Sequence, residues 1–316
     1  MKTLPKEVFQ QLRRWVHLYA SNLEIAQWRY HFEGGSAEDV LEALSFYQNE
    51  DGGFGHGVGD HDNMSPESSP VAFLWGACGI MKDMGCGPEH PMTRGVIRWF
   101  EQCPYVTERG VCFAVPSNSH YPCRPWFIYT EEPRFPGDWL PEHNISADFV
   151  AFAFENCAEG SALYAKAAKI VDYRLANILP ALPRVLQWDR SIWQGLEPHD
   201  ICKLIALAEK FGRKTHEECQ TLYGQLLDIL REYALPETYQ SLEKRIKYGD
   251  NVPLPEDLDD IINRLSSGQP WSKNGLVCED PEKKYDEVFN LGALWWSIKG
   301  AIGGLKTLKE HGRLEI

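Results

Sequence analysis

Residues 47–63 read YQNEDGGFGHGVGDHDN. Five glycines, four acids and two histidines follow an amphipathic run, and an apolar run opens soon after at Pro70. A phosphate-binding loop would need a strand before it and, in its Walker form, a Gly-Lys-Ser/Thr ending. Here the preceding residues have helical spacing and no lysine follows. The stretch therefore reads as a turn between two helices. Its glycines supply positive φ and close backbone approach, and Asp51 is placed to accept backbone hydrogen bonds that tie the turn to the next helix.

Working outward, Ser36 followed by Asp39 predicts a capping-box start. The run behind it puts Val40, Leu41, Ala43, Leu44 and Tyr47 on one broad face, which predicts an outer helix over 36–48. Beyond the turn, Ser69 can cap and Pro70 suits a first helical position. Val71 to Met81 is apolar all round, which predicts an inner helix over 70–83 without a solvent face, ended by Gly85. The alternation recurs. MTRGVIRWFEQC, SALYAKAAKIVDYRLANIL, THEECQTLYGQLLDILREY and LPEDLDDIINRL are amphipathic, while SADFVAFAFENC, ICKLIALAEKFG and the C-terminal VFNLGALWWSIKGAIGGLKTLK are largely apolar. EVFQQLRRWVHLYA and IAQWRYHF at the start also have helical spacing. Repeated outer–inner pairs either stack as an open solenoid or curve into a ring. The apolar C-terminal run, with no polar capping unit, favours the ring. The fold expected is all-α, a single domain over 1–316 forming an α/α toroid of five or six helix pairs. Residues 103–145, rich in Pro, Cys and aromatics, read as a pocket wall or lid within it.

The 316 residues carry a net charge of −13, with no Lys/Arg stripe, which argues against nucleic acid and anionic lipid as partners. No apolar run reaches the ~18 residues of a membrane span, and no N-terminal apolar h-region follows Met1, so a secretory leader is not expected. Nine cysteines without CxxC spacing make a disulfide framework improbable, so a reduced cytoplasmic setting is expected. Eleven tryptophans, with 14 Phe and 13 Tyr, suggest an interior or cavity walled by large rings.

Gln48, Asp51, Gly52, Gly53, Phe54 and Gly55, with Ser69, Pro70 and Trp75 beyond, resemble the QW-type repeat of terpenoid cyclases and protein prenyltransferase β-subunits. LSSGQPW, with Gln269 and Trp271, resembles a degraded second copy. YHFEGGS, YQNEDGGFGHG, the PWF of SHYPCRPWFIY, HNISADFVAF and GLKTLKEHGR are similar to a group of bacterial prenyltransferase/squalene-cyclase-like proteins of about this length. The resemblance implies an α/α toroid and leaves the activity open, because a fold does not specify a site.

Asp60 and Asp62, with His56 and His61 beside them, are the first candidates for acid chemistry. Proton-initiated cyclases need a carboxylic acid kept neutral by an apolar pocket and an adjacent acid. Their motif resembles Asp-x-Asp-Asp, whereas Asp60-His61-Asp62-Asn63 ends in an amide, and a solvated acidic loop is the plain alternative. Asp200 and Cys202 resemble the Asp-x-Cys that binds zinc in protein prenyltransferases. No histidine stands near Asp286, so zinc is not expected and no cofactor is assigned. His120 and Cys123 pair in sequence, a common pattern of low specificity. Trp75, Trp126, Phe127, Tyr129, Trp193, Trp295 and Trp296 are candidates to line a cavity, and Arg124 suits an anionic group. The leading expectation is binding or transformation of a hydrophobic, isoprenoid-like small molecule. Alternatives are a carbohydrate-active enzyme, which needs an open polar cleft with paired carboxylates, and a partner-binding toroid with an exposed apolar patch.

Overall fold

A computed structural model describes residues 2–58, 63–123, 127–129, 145–188, 196–249, 252–268 and 286–315. Among them the chain is all-α, with β-structure confined to isolated bridges. The helices are α1 Lys6–Tyr19, α2 Asn22–Trp28, α3 Ala37–Ser45, α4 Cys78–Asp83, α5 Pro91–Gln102, α6 Ser146–Asn156 and α7 Ala162–Tyr173. They continue as α8 Leu179–Trp188, α9 Leu196–Lys210, α10 His216–Tyr233, α11 Pro236–Tyr248, α12 Pro255–Ser266 and α13 Asp286–Glu310. π-Helical segments Arg29–Glu33, Ala72–Ala77 and Arg174–Ile178 extend α2, precede α4 and join α7 to α8. Helical geometry thus runs unbroken over 70–83.

The turn after α3 is built as its composition requires. Ser36 and Asp39 form the reciprocal capping box. α3 stops at Ser45, three residues before the expected end, because Gln48 is needed elsewhere. Its amide donates to the carbonyls of Gly52 (2.9 Å) and Met92 (3.0 Å), binding the turn to α5. Asp51 accepts from the Gly53 N–H (2.8 Å) and the Ser68 hydroxyl (2.7 Å), so one carboxylate closes the turn and holds the approach to the next helix. Ser69 caps that helix through the Ala72 N–H. Several glycines leave no room for a side chain, Gly52 and Gly76 among them. Gly52 sits at φ +93°, where a Cβ would come 2.3 Å from the Gly95 carbonyl oxygen, and a Cβ on Gly76 would come 2.3 Å from that of Val58.

The phenylalanines fix what the turn has brought together. Phe73 meets Phe54, Phe100 and Phe152 at ring separations of 5.8, 5.6 and 4.8 Å, and Phe100 meets Phe149 at 5.1 Å. Turn, 70–83 helix, α5 and α6 share one apolar knot. It belongs to a large core running from Leu23 to Leu242. A smaller core gathers α1, Trp28, α12 and α13, and closes the two ends of the chain on each other. Leu4 bridges Leu314, and Arg313 pairs with Asp259 and with the Lys2 carbonyl.

Side-chain contacts fix the relative direction of four helices. Trp75 meets Asp148 and Lys82 meets Glu155; Asp148 meets Lys203 and Glu155 meets Lys210; Lys299 meets the Trp75 carbonyl and Lys306 meets Asp83. In every case both partners advance together, so α13, the 70–83 helix, α6 and α9 stand side by side and parallel. The amphipathic helices between them run back, as α5, α7 and α10 must to connect parallel neighbours.

One sequence expectation is corrected here. The 70–83 helix does have an open face: Gly79 is exposed and Trp75, Cys78 and Ile80 are half-buried. α11 was not anticipated, because PETYQSLEKRIKY buries only Leu242 fully and carries little apolar period. The turn's geometry sets a test. Gly52→Ala adds both left-handed strain and a backbone collision, and should destabilise by roughly 3 kcal/mol or more. Urea unfolding midpoints will measure it, and a loss under about 0.5 kcal/mol would refute the role given to Gly52.

Candidate functional site

Each of the four parallel helices carries an incompletely buried stripe on the side of these contacts. On it lie Trp75, Cys78, Gly79 and Lys82; Asp148, Ala151 and Glu155; His199, Lys203, Ala206 and Lys210; and Trp296, Lys299, Gly303 and Lys306, while α13 also leaves Leu294, Ser297, Gly300, Gly304 and Thr307 half-buried. Seven residues fall about 20° short of two full turns, so positions i and i+7 share a face, about 10 Å apart along the axis. The contacts between helices therefore form two tiers. The lower tier is Lys299, Trp75, Asp148 and Lys203, and the upper is Lys306, Asp83, Lys82, Glu155 and Lys210. Since the same stripes carry both tiers, they face one common space.

Between the tiers the lining is small. Gly79, Ala151, Ala206 and Gly303 stand three or four residues above the lower tier on their helices. A Cβ on Gly79 or Gly303 would meet nothing within 4 Å. The shared face thus has an open waist bounded by two rows of polar contacts, with Trp75 and Trp296 at its lower edge. Lys299 lies 5.1 Å from the centre of the Trp296 ring. Trp75 is braced edge-on by Phe113 at 5.0 Å, and Phe113 stacks on Phe127 at 4.9 Å.

Among the described residues the face pairs Lys82, Lys203, Lys210 and Lys306 with Asp83, Asp148 and Glu155, four cations on three carboxylates inside a chain of net charge −13, and Lys299 stands beside them on the Trp75 carbonyl. Burial raises the Glu155 carboxyl, but hydrogen bonds from Lys210 and Lys82 outweigh it and hold the group below its usual range. Cys78 goes the other way. Burial, with Asp148 adding to it, pushes its thiol up to about 12, so it is no thiolate nucleophile at neutral pH.

Below the face, Arg174 in its π-segment pairs with Asp200 (3.2 Å) and Glu197, all three buried. Asp200 also accepts the Ala147 N–H at 2.8 Å. This cluster locks the first turns of α6 and α9 together, and so sets the register that brings Asp148 to Lys203. Desolvation pushes Asp200 up to about 6, against the pull of Arg174.

The expected site residues scatter. Trp75 and Trp296 reach the shared face, while Trp295 packs on the smaller core instead. Phe127 is fully buried and borders a separate void with Gly57, Val58, Asn63, Ser65, Val71 and Ala72. That void offers ≈ 10 Å³ to the centre of a water-sized sphere, room for about one water. Tyr129 is half-buried, its N–H bound to the Ser119 hydroxyl. His56, at φ +59°, is held by Asn49 at 3.0 Å and serves the turn. His120 is exposed at the end of a 3-10 turn, Pro116–His120, and Cys123 is buried with its thiol pushed up by desolvation, so they do not make an activated pair. Asp200 is occupied by Arg174 and Ala147, which removes it from the ligand role the resemblance implies; Cys202 is buried beside it in sequence. No disulfide joins any two of the eight described cysteines. Asp60, Asp62, Arg124, Trp126, Trp193, Gln269 and Trp271 lie outside the described residues. From Cys103 to Cys123 the expected pocket wall is indeed irregular and packs into the large core through Val106, Val111 and Phe113. No helix among the described residues is long and apolar enough to cross a membrane.

Sequence reasoning missed the tiers, although a signal was present. Asp148/Glu155, Lys203/Lys210, Lys299/Lys306 and Trp75/Lys82 repeat at seven residues on otherwise apolar helices. No protein-family model, curated protein or solved structure matches the chain.

The Asp200 cluster generates a pH prediction. A carboxyl raised from 3.8 to about 6 on folding contributes stability below pH 4, and that contribution is lost as pH climbs through 6. Asp200→Asn should remove this downward component between pH 4 and 6 from the urea midpoint profile. Parallel profiles for wild type and variant would contradict it.

Proposed function

We propose that the helix pairs close into an α/α toroid of the terpenoid-cyclase and prenyltransferase type, and that the shared face is its ligand-binding basin. The ligand class that fits is a small amphipathic anion, of which an isoprenoid diphosphate is the leading example. One observation carries this: an open waist of Gly79, Ala151, Ala206 and Gly303 between two tiers whose lysines outnumber their carboxylates. An apolar body would lie against Trp75, Trp296 and the small residues, where ring faces and desolvation favour it. The anionic group would lie among Lys203 and the upper lysines. Membership of that superfamily accords with the Gln48–Gly55 turn, whose side chains make the contacts its residue types call for.

A second reading, an anionic sugar, is favoured by the charged and open lining, which differs from a closed hydrocarbon pocket. Neither reading requires catalysis by the described face. Glu155 is held ionised between two lysines and is a poor proton donor. Binding is the role these residues support.

Titration calorimetry separates the readings, using farnesyl diphosphate, farnesol, inorganic diphosphate and an oligogalacturonate as probes. Farnesyl diphosphate should bind at least tenfold tighter than either of its parts. Gly79→Leu should cost tenfold or more in that affinity while leaving the unfolding midpoint unchanged or higher, since glycine in an exposed helix interior is about 1 kcal/mol worse than a good helix former. Preference for oligogalacturonate selects the second reading. Equal binding of farnesol, or Gly79→Leu without effect, refutes the basin.

A further inference from the structure

The wall of the shared face between α13 and the 70–83 helix differs from its neighbours. The 70–83 helix and α6 interlock through Phe73 and Phe152 at 4.8 Å, within the large core that also holds α9. Across the other wall the two helices belong to different cores. Phe73, Leu74, Ala77 and Met81 pack in the large one, and Ile298, Ile302, Leu305 and Leu308 in the small one. What spans it among the described contacts is two lysines of α13: Lys299 donates to the Trp75 carbonyl (3.1 Å) and Lys306 pairs with Asp83 (2.6 Å). Beyond them Lys309 donates to the His31 carbonyl, in the π-segment that follows α2. Midway along the wall stand Gly79 and Gly303, each with open space where a side chain would be.

His31 sits at the upper end of this seam, half-buried in the π-segment that follows α2. The charged groups facing it are Lys306, Lys309 and Glu310 from α13 and Asp83 from α4; Tyr30 and Phe32 flank its ring. Burial and then Lys306 favour its neutral form. A proton on His31 would place a third cation beside two lysines and compete with Lys306 for Asp83.

We infer that this lysine seam is a gate, the wall through which the shared face opens, and that protonation of His31 and added salt both loosen it. Apolar walls gain nothing from low salt, whereas exposed ion pairs weaken as the screening length falls from about 10 Å at 0.1 M to about 3 Å at 1 M. The proton acts in one direction. A histidine that resists protonation in the folded state contributes stability above its unfolded value of 6.5, and this is lost as pH falls below it. The gate rests on the toroid reading only for what it opens onto; the contacts of the wall stand whether or not an amphipathic anion binds.

Hydrogen–deuterium exchange of the full chain tests it, with rates corrected for the intrinsic effect of pH. Peptides covering 70–83 and 294–310 should exchange at least threefold faster at pH 5.5 than at 7.5, and again faster at 0.5 M than at 0.05 M NaCl. Peptides from 146–156 and 196–210 should hold constant. His31→Gln should abolish the pH response and keep the salt response. Lys306→Met should open the seam at pH 7.5 in low salt, and because it removes one half-exposed cation it leaves both cores intact. Equal acceleration in all four helices would mean general loosening and overturn the gate. A pH response that survives in His31→Gln would overturn the proton switch, and an absent salt response would overturn the seam.

Discussion

Parallel packing of α13, the 70–83 helix, α6 and α9 is the constraint to which the remaining features answer. Helices placed side by side in the same direction align their dipoles, putting about half a positive charge at each N-terminus and half a negative charge at each C-terminus. Antiparallel bundles cancel this; a parallel array has to compensate it. The upper tier does so, since Lys82, Lys210 and Lys306 all lie near the C-terminal ends of their helices. Glu155 and Asp83 then keep those lysines from repelling one another. The tier therefore complements the C-terminal ends of these helices and also charges one end of the shared face.

The lower tier answers a different demand. Four helices that each carry an incompletely buried stripe on this side need a register, because a slip by one residue rotates a helix by 100° and turns the stripe into the core. Asp148 is fixed between the Trp75 indole N–H (3.1 Å) and Lys203 (3.1 Å). Its own helix is fixed from below by Asp200, which reaches the Ala147 N–H and Arg174. Burying that cluster is expensive, and among the described residues it sits where α6, α9 and the π-segment between α7 and α8 meet. With both tiers set, the waist between them follows from residue size alone.

The alternation of amphipathic and apolar helices was legible because burial is written as local periodicity, and the glycine turn because its conformations admit few residue types. Gln48, Asp51, Ser69 and Pro70 behave as their chemistry dictates. The open stripe of the 70–83 helix was not legible: Trp75, Cys78, Gly79 and Ile80 are as apolar as the buried positions beside them, and only the neighbouring helix decides which side is covered. α11 was hidden for the opposite reason, having one buried leucine and a surface otherwise polar. The choice of Trp296 over Trp295 turns on 100° of helix rotation, which composition cannot supply. Acids and histidines near the turn drew attention as chemistry, yet His56 completes the turn by holding Asn49. Dense polar residues in a glycine turn are used first to satisfy the backbone.

The charge distribution also bears on which anions the face can accept. A chain of net charge −13 repels an anion at long range, and the lysine surplus of the shared face is felt only within about a screening length, ~8 Å at physiological salt. A polyanion such as nucleic acid must hold most of its charge outside that radius, where it meets the acidic surface. A compact anion can place all of its charge inside it. On the proposed reading, acidic exterior and cationic tiers would act together as a size filter favouring a ligand with one charged group and an otherwise uncharged body. Trp75 and Trp296 at the lower edge, with glycine and alanine between the tiers, would then offer that body a surface matched to it in polarity and room.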